Sequence, residues 1–295
     1  MTFHRWTCQW PRTWPYVVFK KHHSQLSHLY WSSTAATEFA RQKIAPLPPS
    51  TSLDTLAELA PLASRVGAHR FNYVIPHWEK HLSESENWMR LSALMSLAGY
   101  FETYMYAVAS LALTSDPGVL ISSPQATDGL ILKKRGTLPD LKKHLEHITS
   151  GTWQSRVSTY KRLFSSVPKT LDDAVVELTK MQKLRNGVGH SFGRFIDDSR
   201  NPLQMRPTAL QTLSESRLLE WLKLVDDCVG AVEEHLRASH IGAAEVLLKY
   251  HEWDKKFPLG HMNEEQALRA LFPHDQGSPP PARYFLSAIR FYKAL

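Results

Sequence analysis

The sequence holds only two cysteines, Cys8 and Cys228, among its 295 residues. Two thiols so far apart make neither a disulfide framework nor a thiolate zinc site. No uncharged apolar stretch reaches the roughly 20 residues that cross a membrane. No apolar leader opens the chain, because Trp6, Trp10, Pro11, Trp14 and Pro15 interrupt any such run. Internal repeats and a series of alternating strands are also missing. Positive charge never collects in one long block. The net charge is +7, but the excess comes as Lys20-Lys21-His22-His23, Lys133-Lys134-Arg135, Lys142-Lys143-His144 and Lys255-Lys256. Such clusters attract phosphate backbones, although any single one reads more readily as a solvated face. These absences exclude a disulfide scaffold and a membrane-spanning protein. The expectation is a cytoplasmic chain with no membrane association.

What is present is helical patterning. The composition, 43% hydrophobic and 21% charged, suits one large domain or two small ones. Residues 1–50 carry four of the nine tryptophans, at 6, 10, 14 and 31, and end in Pro46-Leu-Pro48-Pro49. Tyr16-Val-Val-Phe19 has the composition of a short strand. Its tryptophan neighbours can stack on bases, but residues of this kind more often pin an arm to the body. Leucines at 53, 56, 59 and 62 predict a helix over 52–66. A long helix is expected from about 84 to 113, with Leu91, Leu94, Leu97, Phe101, Met105 and Val108 at helical spacing. Further helices are expected over 138–148, 153–165, 170–185, 212–238, 243–250 and 263–272, with a last one ending at 294. The fold class is all-α.

The chemistry concentrates in Arg185-Asn186-Gly187-Val188-Gly189-His190. The buried stripe of the preceding helix, Leu171, Ala174, Val175, Leu178 and Met181, continues by steps of three and four onto Arg185. An inward arginine needs a carboxylate, a partner subunit or a ligand phosphate. Asn186-Gly187 reads as a helix stop, and a turn there would let His190 swing toward Arg185. An arginine that holds a phosphate and a histidine that moves protons suffice to cleave RNA without a metal. A second match to the spacing, Arg269 to His274, lacks the asparagine and contains Pro273.

Met181-Gln-Lys-Leu-Arg-Asn-Gly-Val-Gly-His190 resembles the signature of the HEPN superfamily, an Arg-x(4–6)-His motif with Asn often following the Arg. Leu94-Met-Ser-Leu-Ala-Gly-Tyr-Phe-Glu102 resembles the early HEPN helix, whose apolar run leads to a Glu. The resemblance covers about residues 84–248, leaving an N-terminal Trp- and Pro-rich arm with its helix (1–83) and a helical tail (249–295). It implies a helical bundle that forms a homodimer through the motif face. It also implies a metal-independent, cofactor-free endoribonuclease of a toxin or antiphage defence system. Such an activity in the cytoplasm would need restraint, by an antitoxin or other regulatory partner, an inhibitory arm or an infection trigger. Carried over, Arg185 would stabilise the charged phosphate and His190 would act as general acid or base for attack by the ribose 2′-hydroxyl. Asn186 would orient the site, and Glu102 would pair with Arg185. Lys183, Lys142 and Lys143 are candidate RNA contacts. Phe192 stands where some toxins of this family carry a modifiable Tyr. Some family members are inactive, so a binding or assembly module is the alternative.

Two other patterns carry less. Gly189-His-Ser191-Phe-Gly193 matches the serine-hydrolase elbow, but that elbow needs a strand before it. His77 and His81 share a helix face without an evident third ligand, and His144 and His147 lie beside lysines that repel a cation.

Overall fold

The Trp-rich opening forms a helix and not a strand. Tyr16–Phe19 lie in the first turns of α1 (Trp14–Ile44), which runs for 31 residues. Its start is encoded locally. Thr13 Oγ1 accepts from Tyr16 N, and Pro15 sits in the first turn, where no backbone donor is needed. The buried residues of α1 are Phe19, Leu26, Tyr30 and Ile44, a stripe about one side chain wide. So narrow a stripe gives little periodic contrast in sequence.

The computed structural model describes residues 3–56, 73–191, 194, 202–203, 205, 210–257, 263–272 and 280–295. Their only β pairing is an isolated bridge between Ser52 and Val74, so the protein is all-α as described. After α1 come α2 (Ile75–Ser115), α3 (Gly129–Arg135), α4 (Lys142–Thr149), α5 (Trp153–Phe164), α6 (Lys169–Asp173) and α7 (Val175–Ser191). They are followed by α8 (Glu215–Leu236), α9 (Ala244–Lys256), α10 (Glu264–Ala270) and α11 (Ala282–Ala294). Of the expected helix over 52–66, the described part is a single 3-10 turn, Leu53–Thr55, with Leu56 extended beyond it. Residues 57–66 lie outside the described residues. Helix α2 begins earlier than expected because Pro76 occupies its second position.

The chain divides into two compact units. The first comprises residues 1–22, 98–182 and 221–295. Its core joins Phe101, Tyr104 and Val108 of α2, Tyr160 and Phe164 of α5, Val225, Val229 and Val232 of α8, and Leu247, Tyr250 and Phe285. The arm is part of this core. Trp10, 3% exposed, packs on Phe272 with ring centroids 5.0 Å apart. Arg5 donates to Asp128, to Ser115 and to the Ile241 carbonyl. Its main chain crosses Gly242, whose φ of +54° suits glycine and where a Cβ would stand 2.5 Å from the Arg5 carbonyl oxygen. Two buried carboxyl groups hold the start of α1. Glu233 accepts from Thr13 N and Oγ1, and Glu245 accepts from Trp14 N.

The second unit comprises residues 23–97 and 183–220. Leu91, Leu94 and Leu97 of α2 are fully buried there, with Leu26, Tyr30, Val188, Leu213 and Leu218 also in the core. The segment entering α8 is fixed by side chains of α2. Asn87 donates to the Gln211 carbonyl and accepts from Leu213 N, while Arg90 Nε donates to the Leu213 carbonyl.

Candidate functional site

Arg185, Asn186 and His190 all lie on α7, which continues without a break to Ser191. The expected helix stop at Asn186-Gly187 is therefore corrected. Gly187 is buried where a Cβ would stand 3.1 Å from Gln211 Nε2, a tight approach, whereas a Cβ on exposed Gly189 would meet Met95 Cε at an ordinary 3.6 Å. In an uninterrupted helix a step of five residues turns the side chains roughly 140° apart and separates them by about 7.5 Å along the axis. The backbone thus does not fold His190 back onto Arg185.

Arg185 is half-buried, continuing the stripe of Leu178 and Met181, and Val188 closes that stripe on the next turn. Arg185 Nη1 donates to Asn186 Oδ1 at 3.1 Å. This contact holds one guanidinium nitrogen against the neighbouring side chain. His190 is exposed, and so is Lys183, two residues before Arg185.

Glu102 belongs to the first unit, where its Oε1 accepts from both Nη1 and Nη2 of Arg156 at 3.1 Å. Arg156 is 5% exposed, and its guanidinium stacks 4.8 Å from the Trp153 ring centroid. The sequence reading missed Arg156. The available signal was its place on the apolar face of α5, between Trp153 and Tyr160, where a cation needs an anion. Lys142 and Lys143 are exposed at the start of α4, and Lys142 lies 4.0 Å from Glu146. Phe192, Gly193 and His274 lie outside the described residues.

The hydrolase-elbow reading meets a helix, because Gly189, His190 and Ser191 close the helix that begins at Val175, where the elbow needs a strand. His81 Nδ1 lies 3.6 Å from Glu84 and its ring packs on Tyr73. No group of three potential metal ligands occurs among the described residues.

One further imidazole has a catalytic look. His235 sits between Tyr160, with OH to Nδ1 at 2.8 Å, and Ser166, with Oγ to Nε2 at 2.9 Å. Tyr160 is buried, and desolvation pushes its phenol well above the ordinary range. The phenol therefore stays protonated, and the two hydroxyls occupy both ring nitrogens of His235, with the donor in each pair set by the imidazole tautomer. Burial, with His240 nearby, also lowers the His235 pKa.

The chain matches no protein-family model, no curated protein and no solved structure at a significant level. The site must be judged on its own residues.

Proposed function

We propose that the chain is a metal-independent endoribonuclease of HEPN type, acting through Arg185 and His190. The observation that carries this reading is the arrangement at the end of α7: a half-buried arginine oriented by the next residue, Asn186, and an exposed histidine one turn and a half further on. The arginine can stabilise a phosphate whose charge grows in the transition state. The histidine can exchange protons with a ribose hydroxyl and water. Cleavage by the 2′-hydroxyl leaves 2′,3′-cyclic phosphate ends and spares DNA. Net positive charge supports an RNA partner. A toxin or defence role, with a restraining partner, goes with such an activity.

The divergence of Arg185 and His190 around the helix favours a two-chain site, in which RNA meets the arginine of one copy and the histidine of another. It also supports a second reading, a binding module in which Arg185 grips a phosphate and His190 does no chemistry. Cleavage of total RNA in excess EDTA by wild type, His190→Ala and Arg185→Ala separates the two. The enzyme reading expects cyclic phosphate ends from wild type alone, with His190→Ala still binding RNA. Binding lost with Arg185→Ala, and no cutting by any of the three, would establish the module.

A further inference from the structure

The first unit contains an aromatic cleft that neither the helical packing nor the Arg–His site requires. One wall is α1, through Trp14, Val18, Phe19 and His22; the other is α2, through Tyr100 and Tyr104. Its volume is about 230 Å³. Pockets for drug-sized ligands run to roughly 300–1,000 Å³, so this one suits a single small ring system. The His22 and Tyr100 rings already lie 4.8 Å apart at 33°, leaving π-faces at the wall. Thr103 brings an exposed hydroxyl to the rim.

An aromatic lining suits two different ligand classes: a planar base that stacks, or a quaternary ammonium held by cation–π attraction. The surrounding charge decides between them. Lys21 is exposed, with its ammonium 6.0 Å from the Trp14 ring centroid. Lys20 lies beside it, bound to Asp226, and Arg12 stacks 5.0 Å from the Tyr16 ring. The one acid on α2 between residues 98 and 110 is Glu102, which is bound to Arg156. Asp226 offsets Lys20, and the carboxyls at the start of α1 are taken up by main-chain amides, Glu233 by Thr13 and Glu245 by Trp14, so Lys21 at the rim favours a base carrying a phosphate over a cation.

We propose that this cleft binds a nucleotide, with the base stacked among Trp14, His22 and Tyr100 and the phosphate at Lys21. The site stands apart from Arg185 and His190 in residues and in chemistry, so it does not depend on whether the chain cuts RNA. It holds a base by its faces and an anion by charge, so it tolerates different bases.

Calorimetric titration of the full-length protein with AMP, adenosine, ribose 5-phosphate and tetramethylammonium chloride tests this directly. The expected order is AMP first, adenosine weaker, ribose 5-phosphate weaker again, and no binding of tetramethylammonium. Tyr100→Leu and Trp14→Leu, checked for unchanged helical circular dichroism, should each weaken AMP by about tenfold. Lys21→Ala should weaken AMP several-fold and leave adenosine unchanged. A single-stranded oligoadenylate that binds more tightly than AMP through the same residues assigns the base to RNA. AMP alone assigns it to a free nucleotide, and both results uphold the site. Wild-type protein that binds no AMP at millimolar concentration would overturn the proposal. So would tetramethylammonium binding in preference to AMP, or AMP binding unchanged in folded Tyr100→Leu and Trp14→Leu.

Discussion

The Arg5 guanidinium grips the Asp128 carboxylate through two nitrogens, Nε at 3.0 Å from Oδ2 and Nη2 at 3.1 Å from Oδ1. The two side chains are 5% and 14% exposed, and 123 residues of sequence separate them. Burial lowers the Arg5 pKa while Asp128 raises it, so the pair offsets a desolvation cost that neither residue could bear alone. Arg5→Ala should destabilise the protein by about 3–5 kcal/mol, because it strands a buried carboxylate. Replacing both partners by apolar residues of similar size should recover much of that loss. Urea denaturation of the single and double variants decides the matter, and an additive double variant would show that the two residues act independently.

The same arm depends on Gly242. An alanine there would set its Cβ 2.5 Å from the Arg5 carbonyl oxygen and 2.7 Å from Trp6 Cα, at a φ of +54°. Backbone clash and left-handed strain together should cost more than about 1 kcal/mol. Faster proteolytic clipping of the first 13 residues should accompany the loss. Wild-type resistance in Gly242→Ala would mean that the arm is held elsewhere.

The two carboxyl groups at the start of α1 set a pH dependence. Burial pushes Glu245 up to about 7 from 4.5, aided by Glu233 and opposed by the Trp14 amide and Lys249. Burial also raises Glu233, opposed by Thr13, Arg237 and Arg12. The folded chain therefore holds protons that the unfolded chain has already released. Their stabilising contribution is complete below pH 4.5 and is lost as pH rises toward about 7. Melting temperature should fall across that window through these groups, and Glu245→Gln should flatten the slope. An equally steep slope in the variant would place its origin in other residues.

Glu102 is fixed by Arg156, so its loss should first appear as lost stability. Glu102→Gln leaves a buried guanidinium facing a neutral amide, a change worth about 1–3 kcal/mol. Equilibrium unfolding would detect this. A variant that loses RNA cleavage at full stability would instead give Glu102 a role at the Arg–His site.

His190 should behave in the opposite way. It is exposed, so His190→Ala should alter stability by no more than about 0.5 kcal/mol. Under the ribonuclease proposal the same change should abolish cleavage. Thermal melts paired with the EDTA cleavage assay test both halves.

The sequence was legible where an apolar stripe was broad. Leu91, Leu94, Leu97, Phe101 and Val108 announced α2, and Val225, Val229 and Val232 announced α8. Helix α1 escaped because Phe19, Leu26 and Tyr30 form so thin a line among histidines, lysines and serines. The β-branched pair Val17-Val18 misled for the same reason, since two valines weigh heavily when the surrounding pattern is weak. At the motif, the identity of Arg185 and Asn186 was readable but the backbone was not. Glycines at 187 and 189 read as a turn, yet the helix runs through both, with Gly187 buried close to Gln211 and Val188 in the core between them. The Glu102–Arg156 pair was hidden because its members stand 54 positions apart in sequence.

Because Asn186, Gly187, Val188 and Gly189 are helical, their amide hydrogens point down the axis toward the carbonyls of the preceding turn. A glycine-rich loop cradles phosphate by turning such amides outward. Among residues 186–189 the main chain has no donor left to give. Under the ribonuclease proposal, a phosphate meeting this stretch of α7 would be recognised by side chains, through the flat fork of a guanidinium from one copy and the edge of an imidazole from another. Its fit would follow the geometry of those two groups and not the curvature of a loop.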